Sequence, residues 1–284
     1  MSEISLTPGL YLVATPIGSA RDITLRALDI LQSADVIAAE DTRNTRKLMD
    51  IHGIKLGERP IIPYHDHNGA QQRPRILDAI EDGKSVAYVS DAGTPMVADP
   101  GFTLARAVIE ADGPVTAAPG ASAVLAALSI AGLPTDKFMF VGFPPPKTGA
   151  RNQFFKDLEN IPATLVFYES PKRLDKTLAS MIEAFGEERQ AAICRELTKK
   201  FEQALRGTLR NVLDRREDEM PLKGEIVIVL GPPVAQEISQ EDLDGSLRRA
   251  LLTLSVKDAA AEVAQSLGLP RKTAYNRALE LNRQ

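Results

Sequence analysis

Five times in the first 131 residues, a short apolar run gives way to a loop of small residues and then to a helical pattern. The runs are Gly9 to Thr15, Val36 to Ala39, Pro60 to Tyr64, Ser85 to Val89 and Val115 to Ala118. Short runs largely without polar alternation are read as strands buried on both faces. Strands that alternate with helices dictate a largely parallel sheet, covered on both sides. In such a sheet, ligands bind beyond the carboxyl ends of the strands. The loop after the Ser85–Val89 run therefore commands the chain. It reads S-D-A-G-T-P-M-V-A-D-P-G, from Ser90 to Gly101, and leads into a helical pattern from Phe102 to Ala111. Gly93 lets a ligand approach the main chain. Pro95 and Pro100 fix φ and remove donors, so the loop is stiff. Its length is also well beyond the usual strand-to-helix connection.

The rest of the first region follows the same plan. Asp22 is placed to cap a helix carrying Ile23, Leu25, Leu28, Ile30 and Leu31. A second helix runs from Asn44 to Ile51, and an Ala-rich one ends at Ala131. Composition shifts at Gly132-Leu133-Pro134-Thr135, where a second α/β region begins. Its strands are expected at Lys137–Phe143, Thr164–Tyr168, Gln190–Arg195, Phe201–Arg206 and Glu225–Leu230, with helices over Arg151–Glu159, up to Phe185, and over Leu209–Arg215. The short link between Arg195 and Phe201 makes that pair antiparallel. Val234 to Leu243 reads as a polar linker. Helices over Lys257–Leu267 and Arg271–Leu281 flank Gly268-Leu269-Pro270, a helix-turn-helix-like arrangement. The expected division is thus an α/β domain over 1–119, a second over 120–233 and a small helical module over 244–284.

Charge and composition remove several classes. No apolar run approaches the roughly 18 residues that a membrane span requires. The first residues lack the basic start and apolar core of a signal peptide. A single Cys194 excludes an internal disulfide framework and suits a reducing cytoplasm. Net charge is −4. From Ser246 onward, however, seven Lys and Arg face three acids, so that stretch is +4 and the remainder −8. There is no G-x-x-x-x-G-K-[ST] phosphate loop and no G-x-G-x-x-G after the first strand. Ser122 lacks the second glycine of a nucleophile elbow. His65 and His67 have only His52 and a remote Cys194 for company, which fits loop caps better than a metal site. What remains is a set of small-residue loops at strand ends. They suit a ligand held mostly by backbone groups, such as a nucleoside carrying an amino-acid tail and a sulfonium. A triphosphate would call for Lys and Arg at a helix N-terminus.

Seven stretches in order carry a resemblance. They are T-P-I-G-S (Thr15–Ser19), A-E-D-T-R (Ala39–Arg43), the Ser90–Gly101 loop, P-G-A-S-A (Pro119–Ala123), G-F-P-P-P-K (Gly142–Lys147), Y-E-S-P-K-R (Tyr168–Arg173) and C-R-E-L-T-K (Cys194–Lys199). Together they resemble the tetrapyrrole methylase superfamily, and within it the branch that modifies small-subunit ribosomal RNA, over roughly residues 9 to 231. The resemblance implies two α/β domains with a cleft between them for S-adenosyl-L-methionine. It implies a cytoplasmic homodimer that methylates the ribose 2′-hydroxyl of a cytidine in the decoding region of 16S rRNA in the small ribosomal subunit, with no part for a membrane. By the same resemblance Pro16, Asp91, Ala92, Gly93, Thr94, Ser122, Ala123 and Tyr168 line the donor cleft, with Gly207, Gly224 and Glu225 matching less closely. One position departs from the pattern: Lys172 stands where a His is expected, and contact with phosphate suits a Lys better than the part of an obligatory base.

For the acceptor side, Arg173, Arg195 and Lys199 follow strands of the second region and are candidates to hold RNA phosphate. Strand alternation is expected to turn Arg195 toward the cleft while Cys194 packs in the core. A base for the hydroxyl is sought among Asp99, Glu169 and Glu196, or in Lys172 or Lys199 if its pKa is depressed; the sequence leaves the choice open. Asp41 and Arg43 either pair with each other or shape the cleft mouth. Two other readings stand beside this one: a methyltransferase for a small tetrapyrrole, and a non-catalytic nucleic-acid-binding regulator suggested by the basic tail alone.

Overall fold

The computed structural model describes residues 5–65, 67–96, 101–233, 240–267 and 269–282. The first sheet takes β1 (Gly9–Val13), β2 (Val36–Ala39), β3 (Ile61–Pro63), β4 (Ser85–Val89) and β5 (Val115–Ala118) in the order β3-β2-β4-β1-β5. Every pairing in it is parallel. Side chains leave the strands alternately for two cores. Tyr11, Val13, Ala87 and Val89 meet α1 (Leu25–Ser33) and α2 (Thr42–Ile51). Leu10, Leu12, Val86 and Tyr88 meet α3 (Gly69–Glu81) and α4 (Gly101–Glu110). Both faces are therefore apolar, which is why these strands read as near-continuous runs.

The strand order fixes where a ligand fits. From β1 the chain crosses to one side of the sheet, and from β4 to the other. Their helices α1 and α4 consequently lie on opposite faces. The loops after adjacent strands β1 and β4 part at their carboxyl ends and leave a crevice, as expected where strand order reverses.

The second sheet takes β6 (Phe138–Gly142), β7 (Thr164–Glu169), β8 (Gln190–Arg195), β9 (Gln203–Thr208) and β10 (Ile226–Leu230) in the order β6-β7-β10-β8-β9. Only the β6–β7 pair is parallel. One face is covered by α6 (Thr148–Leu158), α7 (Leu174–Phe185) and α8 (Leu209–Glu219). The other is covered by α5 (Ala123–Ala131), which follows β5 in the chain yet packs on the second sheet with Ile17 and Leu197. The described residues up to Pro233 form one compact unit that holds both sheets. We place the division between its halves at the loop before α5.

Local differences from the sequence reading have simple causes. The cap of α1 is Thr24, whose hydroxyl accepts from the Ala27 N–H at 3.1 Å, rather than Asp22. Helix α2 begins earlier than Asn44, because Asp41 caps it through the Arg43 N–H at 2.8 Å. Part of the stretch read as linker is helical: α9 (Gln240–Leu251) starts at Gln240, and the rest of that stretch lies outside the described residues. With α10 (Val256–Leu267) and α11 (Arg271–Leu281) it makes a second compact unit around Leu247, Ala260, Val263 and Ala274.

Candidate functional site

The loop after β4 is stitched to the end of β1. Thr15 and Gly93 exchange two backbone hydrogen bonds, each 3.0 Å. The Ser90 hydroxyl donates to the Gly93 carbonyl at 2.8 Å, and the Thr15 hydroxyl donates to the Ser90 carbonyl at 3.1 Å. Thr94 reaches across to the Ala121 carbonyl at 2.9 Å. Gly93 has φ 81°, and a Cβ there would stand 3.1 Å from Ile17 Cγ2 and 3.4 Å from the Ala121 carbonyl oxygen. Met96, with φ 77°, holds a left-handed conformation that only its surroundings impose.

This loop, the start of α5 and the facing ends of β7 and β10 enclose a cavity of about 390 Å³. Ala92, Gly93, Thr94, Ser122, Ala123, Tyr168, Gly224 and Glu225 line it, so eight of the sequence-derived donor positions come together. Tyr168 is held edge-on between Phe140 and Phe143, at 4.8 and 5.5 Å between ring centres. Burial, and then the charge of Glu225, push its phenol above the usual value, so it stays protonated at neutral pH. Among the described residues no Lys or Arg lines the cavity. These features fit S-adenosylmethionine: main chain and small side chains for the nucleoside and amino-acid tail, aromatic faces and a carboxylate near a cation, and nothing for polyphosphate. Ile17, Phe143, Ile226 and Val227 also line the cavity and were missed. Of these, Ile17 lay inside T-P-I-G-S and Phe143 inside G-F-P-P-P-K, so both were within reach of sequence reading.

Three donor positions fall elsewhere. Pro16 and Asp91 line an adjoining cavity of about 310 Å³. Gly207 lines neither. It lies in β9, where a Cβ would stand 2.5 Å from Asn211 Oδ1, so its lack of a side chain serves the packing of α8.

The charged candidates of the second sheet are mostly bound to one another. Glu169 is buried, and both its oxygens are occupied. Oε1 accepts from the Ser170 N–H at 2.6 Å and from Arg173 at 2.7 and 2.8 Å, while Oε2 accepts from Thr177 at 2.6 Å. Arg173 also donates to the Pro144 carbonyl at 3.1 Å, which ties Y-E-S-P-K-R to G-F-P-P-P-K. Glu169 thus lines the cavity with both oxygens already partnered, and Arg173 is not a free cation. The register corrects the reading of Arg195. Alternation does turn it away from Cys194, but Cys194 faces α5, and Arg195 shares the opposite face with Glu169, both paired with Ile226. Arg195 is 5% exposed and donates to the carbonyls of Lys223 (2.6 Å) and Phe201 (3.2 Å) and to Gln203 Oε1 (3.0 Å).

Glu196 Oε1 accepts from the Glu225 N–H and from Lys199, each at 3.0 Å. The Glu225 N–H, and after it Lys199, hold the Glu196 carboxyl below its usual range against the effect of burial. Lys199 also bridges to Glu225 at 2.9 Å. Burial opposes its charge, but Glu225 and Glu196 outweigh burial and raise its pKa, so it is no neutral amine. Gly224 leaves room for Glu196, whose Cδ would lie 2.5 Å from an added Cβ. The same loop meets T-P-I-G-S: the Ser19 N–H donates to Thr198 Oγ1 at 3.1 Å, and a Cβ on Gly18 would stand 2.5 Å from that oxygen. Lys172 is exposed, with no ion pair or hydrogen bond among the described residues. Asp99 lies outside the described residues. Asp41 and Arg43 pair at 2.8 Å. Burial pushes the Cys194 thiol up to about 11, so it is no nucleophile.

The helical unit is less basic than its sequence suggests. From Gln240 onward seven Lys and Arg face six acids, because α9 contributes Glu241, Asp242 and Asp244. Arg277 is bound to Asp244 and Glu280. Arg271 and Lys272, at the start of α11, are exposed, and Lys272 lines a groove with Pro270, Thr273 and Asn276.

Comparison with known proteins gives matching results. The family described as Tetrapyrrole (Corrin/Porphyrin) Methylases matches residues 9–213, and the RsmI C-terminal HTH domain matches residues 237–282. Among curated proteins, the ribosomal RNA small subunit methyltransferase I of Mesorhizobium japonicum is 47% identical, over 97% of this chain and 93% of its own. The protein of the same name from Escherichia coli O157:H7 is 42% identical, over 95% and 94%. Among solved structures, a cobalt precorrin-4 methyltransferase matches with a TM-score of 0.58 at 21% identity, covering 78% of this chain and 94% of that one. A uroporphyrin-III C-methyltransferase from Thermus thermophilus, complexed with S-adenosyl homocysteine, matches with a TM-score of 0.54 at 19% identity, over 78% and 97%. At these identities the structural likeness concerns the fold.

Proposed function

The chain belongs to the tetrapyrrole (corrin/porphyrin) methylase family, and from that premise we propose that it uses S-adenosylmethionine to methylate small-subunit ribosomal RNA, at the 2′-hydroxyl of a cytidine ribose in the decoding region. The observation that carries this reading is the near full-length likeness, at 40–47% identity, to proteins named ribosomal RNA small subunit methyltransferase I. The cation-free cavity built from the shared motifs supports it.

Bound in that cavity, S-adenosylmethionine supplies an electrophilic methyl group on a sulfonium. The protein's part is to hold and orient. Gly93 and Thr94 present main chain, Ser122 and Ala123 leave room, and Tyr168 and Phe143 form an aromatic wall. Glu169, Glu196 and Lys199 are held in their charged pairs, so they brace the cavity rather than move a proton. Positioning therefore bears most of the catalysis, and it can remove roughly 7–11 kcal/mol of barrier when reacting atoms are aligned. Lys172, exposed in the short helical turn after β7, is the cation of Y-E-S-P-K-R left to meet phosphate.

The finer assignments are part of the same proposal. The substrate is 16S rRNA within the small subunit, docked in part by Arg271 and Lys272 of the helical unit. The protein works in the cytoplasm as a homodimer. Edge strand β6 supports the dimer, since Phe138 and Met139 are 45% and 42% exposed there. Methylation of a tetrapyrrole is the competing reading. It is tested by offering labelled donor with either undermethylated small subunits or a porphyrinoid carboxylate. Label in the RNA supports the proposal; label in the porphyrinoid alone overturns it.

A further inference from the structure

The cavity of about 310 Å³ beside the donor cavity has no part in donor binding as described above. It shares Ile17 and Ala92 with that cavity, so the two adjoin. One side of it is apolar, built from Pro16, Ile17, Leu48 and Ile51. The opposite chemistry comes from Asn44, on α2, and Asp91, in the loop after β4. Asn44 Nδ2 donates to Asp91 Oδ1 at 3.3 Å. The Glu40 carboxylate takes the Asp91 N–H at 3.0 Å and fixes the residue's backbone. Two residues from different elements are thereby joined edge to edge.

Their remaining capacity is specific. An amide nitrogen carries two hydrogens, and Asn44 uses one on Asp91. Asp91 Oδ2 takes no hydrogen bond among the described residues. The pair therefore offers one acceptor next to one donor at the cavity. That pattern complements an exocyclic amino group beside an unprotonated ring nitrogen, which cytosine presents on its Watson–Crick edge, as adenine does, so it selects amino-bearing bases and the proposed cytidine acceptor is the pyrimidine among them. It opposes uracil, which has a carbonyl oxygen and a ring N–H at those places. An apolar wall suits the flat faces of a base, and the volume accommodates a nucleoside.

We infer that this cavity is the acceptor nucleoside's subsite, and that Asp91 and Asn44 read the 4-amino group and N3 of the target cytosine. The inference rests on the proposed ribose methylation and adds to it the group that selects the base. It assigns Asp91 to the acceptor instead of the donor. Lys47, exposed at the same cavity, is placed for a neighbouring phosphate.

The test uses the full chain, labelled donor, and undermethylated small subunits carrying either cytidine or uridine at the modified position. In single-turnover transfer the wild type favours cytidine by roughly tenfold to hundredfold, the range of one good base-edge pair. Asp91→Asn converts an acceptor into a group that also donates, and it is nearly isosteric. It lowers transfer to cytidine and reduces the preference to about threefold or less. Asn44→Ala also loses preference, while calorimetric donor affinity stays near wild type in both variants. The inference is overturned if Asp91→Asn keeps the wild-type preference, if the wild type transfers equally to both subunits, or if donor affinity falls in step with rate. Absence of wild-type transfer to any subunit refutes the methylation reading itself, and the subsite with it; the wild-type arm thus separates the two failures.

Discussion

The loop after β4 and the loop after β8 are alike in placement and backbone, yet they do opposite things. Each follows a buried strand, and each holds left-handed residues: Gly93 and Met96 in the first, Glu196 (φ 51°) and Thr198 (φ 62°) in the second. The first turns its main chain toward a cavity and carries small side chains. The second closes on itself. Glu196, Lys199 and Glu225 form one cluster, Arg195 holds three oxygens behind it, and Thr198 takes the Ser19 N–H from the first half. The charge-rich motif is thus framework, and the charge-poor one lines the cavity proposed for the donor. A guanidinium or carboxylate in a motif signals chemistry only when some of its hydrogen-bonding capacity is left over.

The comparison breaks first at Arg195. Arg195→Met leaves the Lys223 and Phe201 carbonyls and Gln203 Oε1 without their donor in a buried place. The expected loss is about 3 kcal/mol of unfolding free energy in a denaturant series. Methyl transfer per folded molecule stays close to wild type. A stable but inactive variant would return Arg195 to the acceptor site.

Gly93 is the counterpart on the other loop. Gly93→Val sets a side chain against Ile17 and the Ala121 carbonyl at a φ that a β-branched residue resists. Donor affinity is expected to fall about tenfold or more, or about 1.4 kcal/mol, by calorimetry. Unchanged affinity would take this loop out of the donor site.

A smaller effect is expected in the helical unit. Lys272 is exposed, whereas Arg277 is bound to Asp244 and Glu280. Lys272→Ala should weaken subunit binding and reduce the slope of log affinity against log salt by about one. Arg277→Ala should chiefly loosen the helical unit. Equal slopes for wild type and Lys272→Ala would confine this face to a structural part.

The smallest effect concerns Asp41. The Arg43 side chain, and then its backbone N–H, lower the Asp41 pKa from 3.8 to about 2. A pKa depressed by folding gives stability that is present above the unfolded value and lost as pH falls through the folded one. The Asp41 contribution is therefore complete above pH 3.8 and fades toward pH 2. Because the pair is exposed, solvent screens it and the contribution is small. Asp41→Asn should remove that part of the acid dependence in pH-resolved melts, and identical curves would show that the pair adds nothing.

Much of the fold is legible in the sequence. Strands β1, β2 and β4 are buried along their whole length, as their apolar runs imply, whereas the edge strands β3 and β5 are partly exposed, at Pro63 and at Thr116 and Ala117, because each has a neighbour on one side alone. The lining of the cavity proposed for the donor was legible in part, since Gly93, Thr94, Ser122 and Ala123 come from the small-residue loops at strand ends. What was not legible depended on register and partners. Alternation places Arg195 on the face away from Cys194, but only the pairing with Ile226 shows which face looks toward α5. Glu169 reads as a candidate base until Thr177 and Arg173 are seen to occupy it. Helix α9 was overlooked because Gly245 interrupts a segment whose Leu243, Leu247 and Ala250 nevertheless keep helical spacing.

The central claim is that the chain methylates one ribose of small-subunit RNA from a donor held beside Gly93 and Tyr168. The direct measurement is transfer of labelled methyl from S-adenosylmethionine to undermethylated small subunits, with the product mapped to its nucleotide and atom. The account predicts one labelled cytidine in the decoding region, resistant to alkaline cleavage on its 3′ side because the 2′-oxygen is methylated. Label on a base, label spread over many nucleotides, or no label in RNA at all would contradict it.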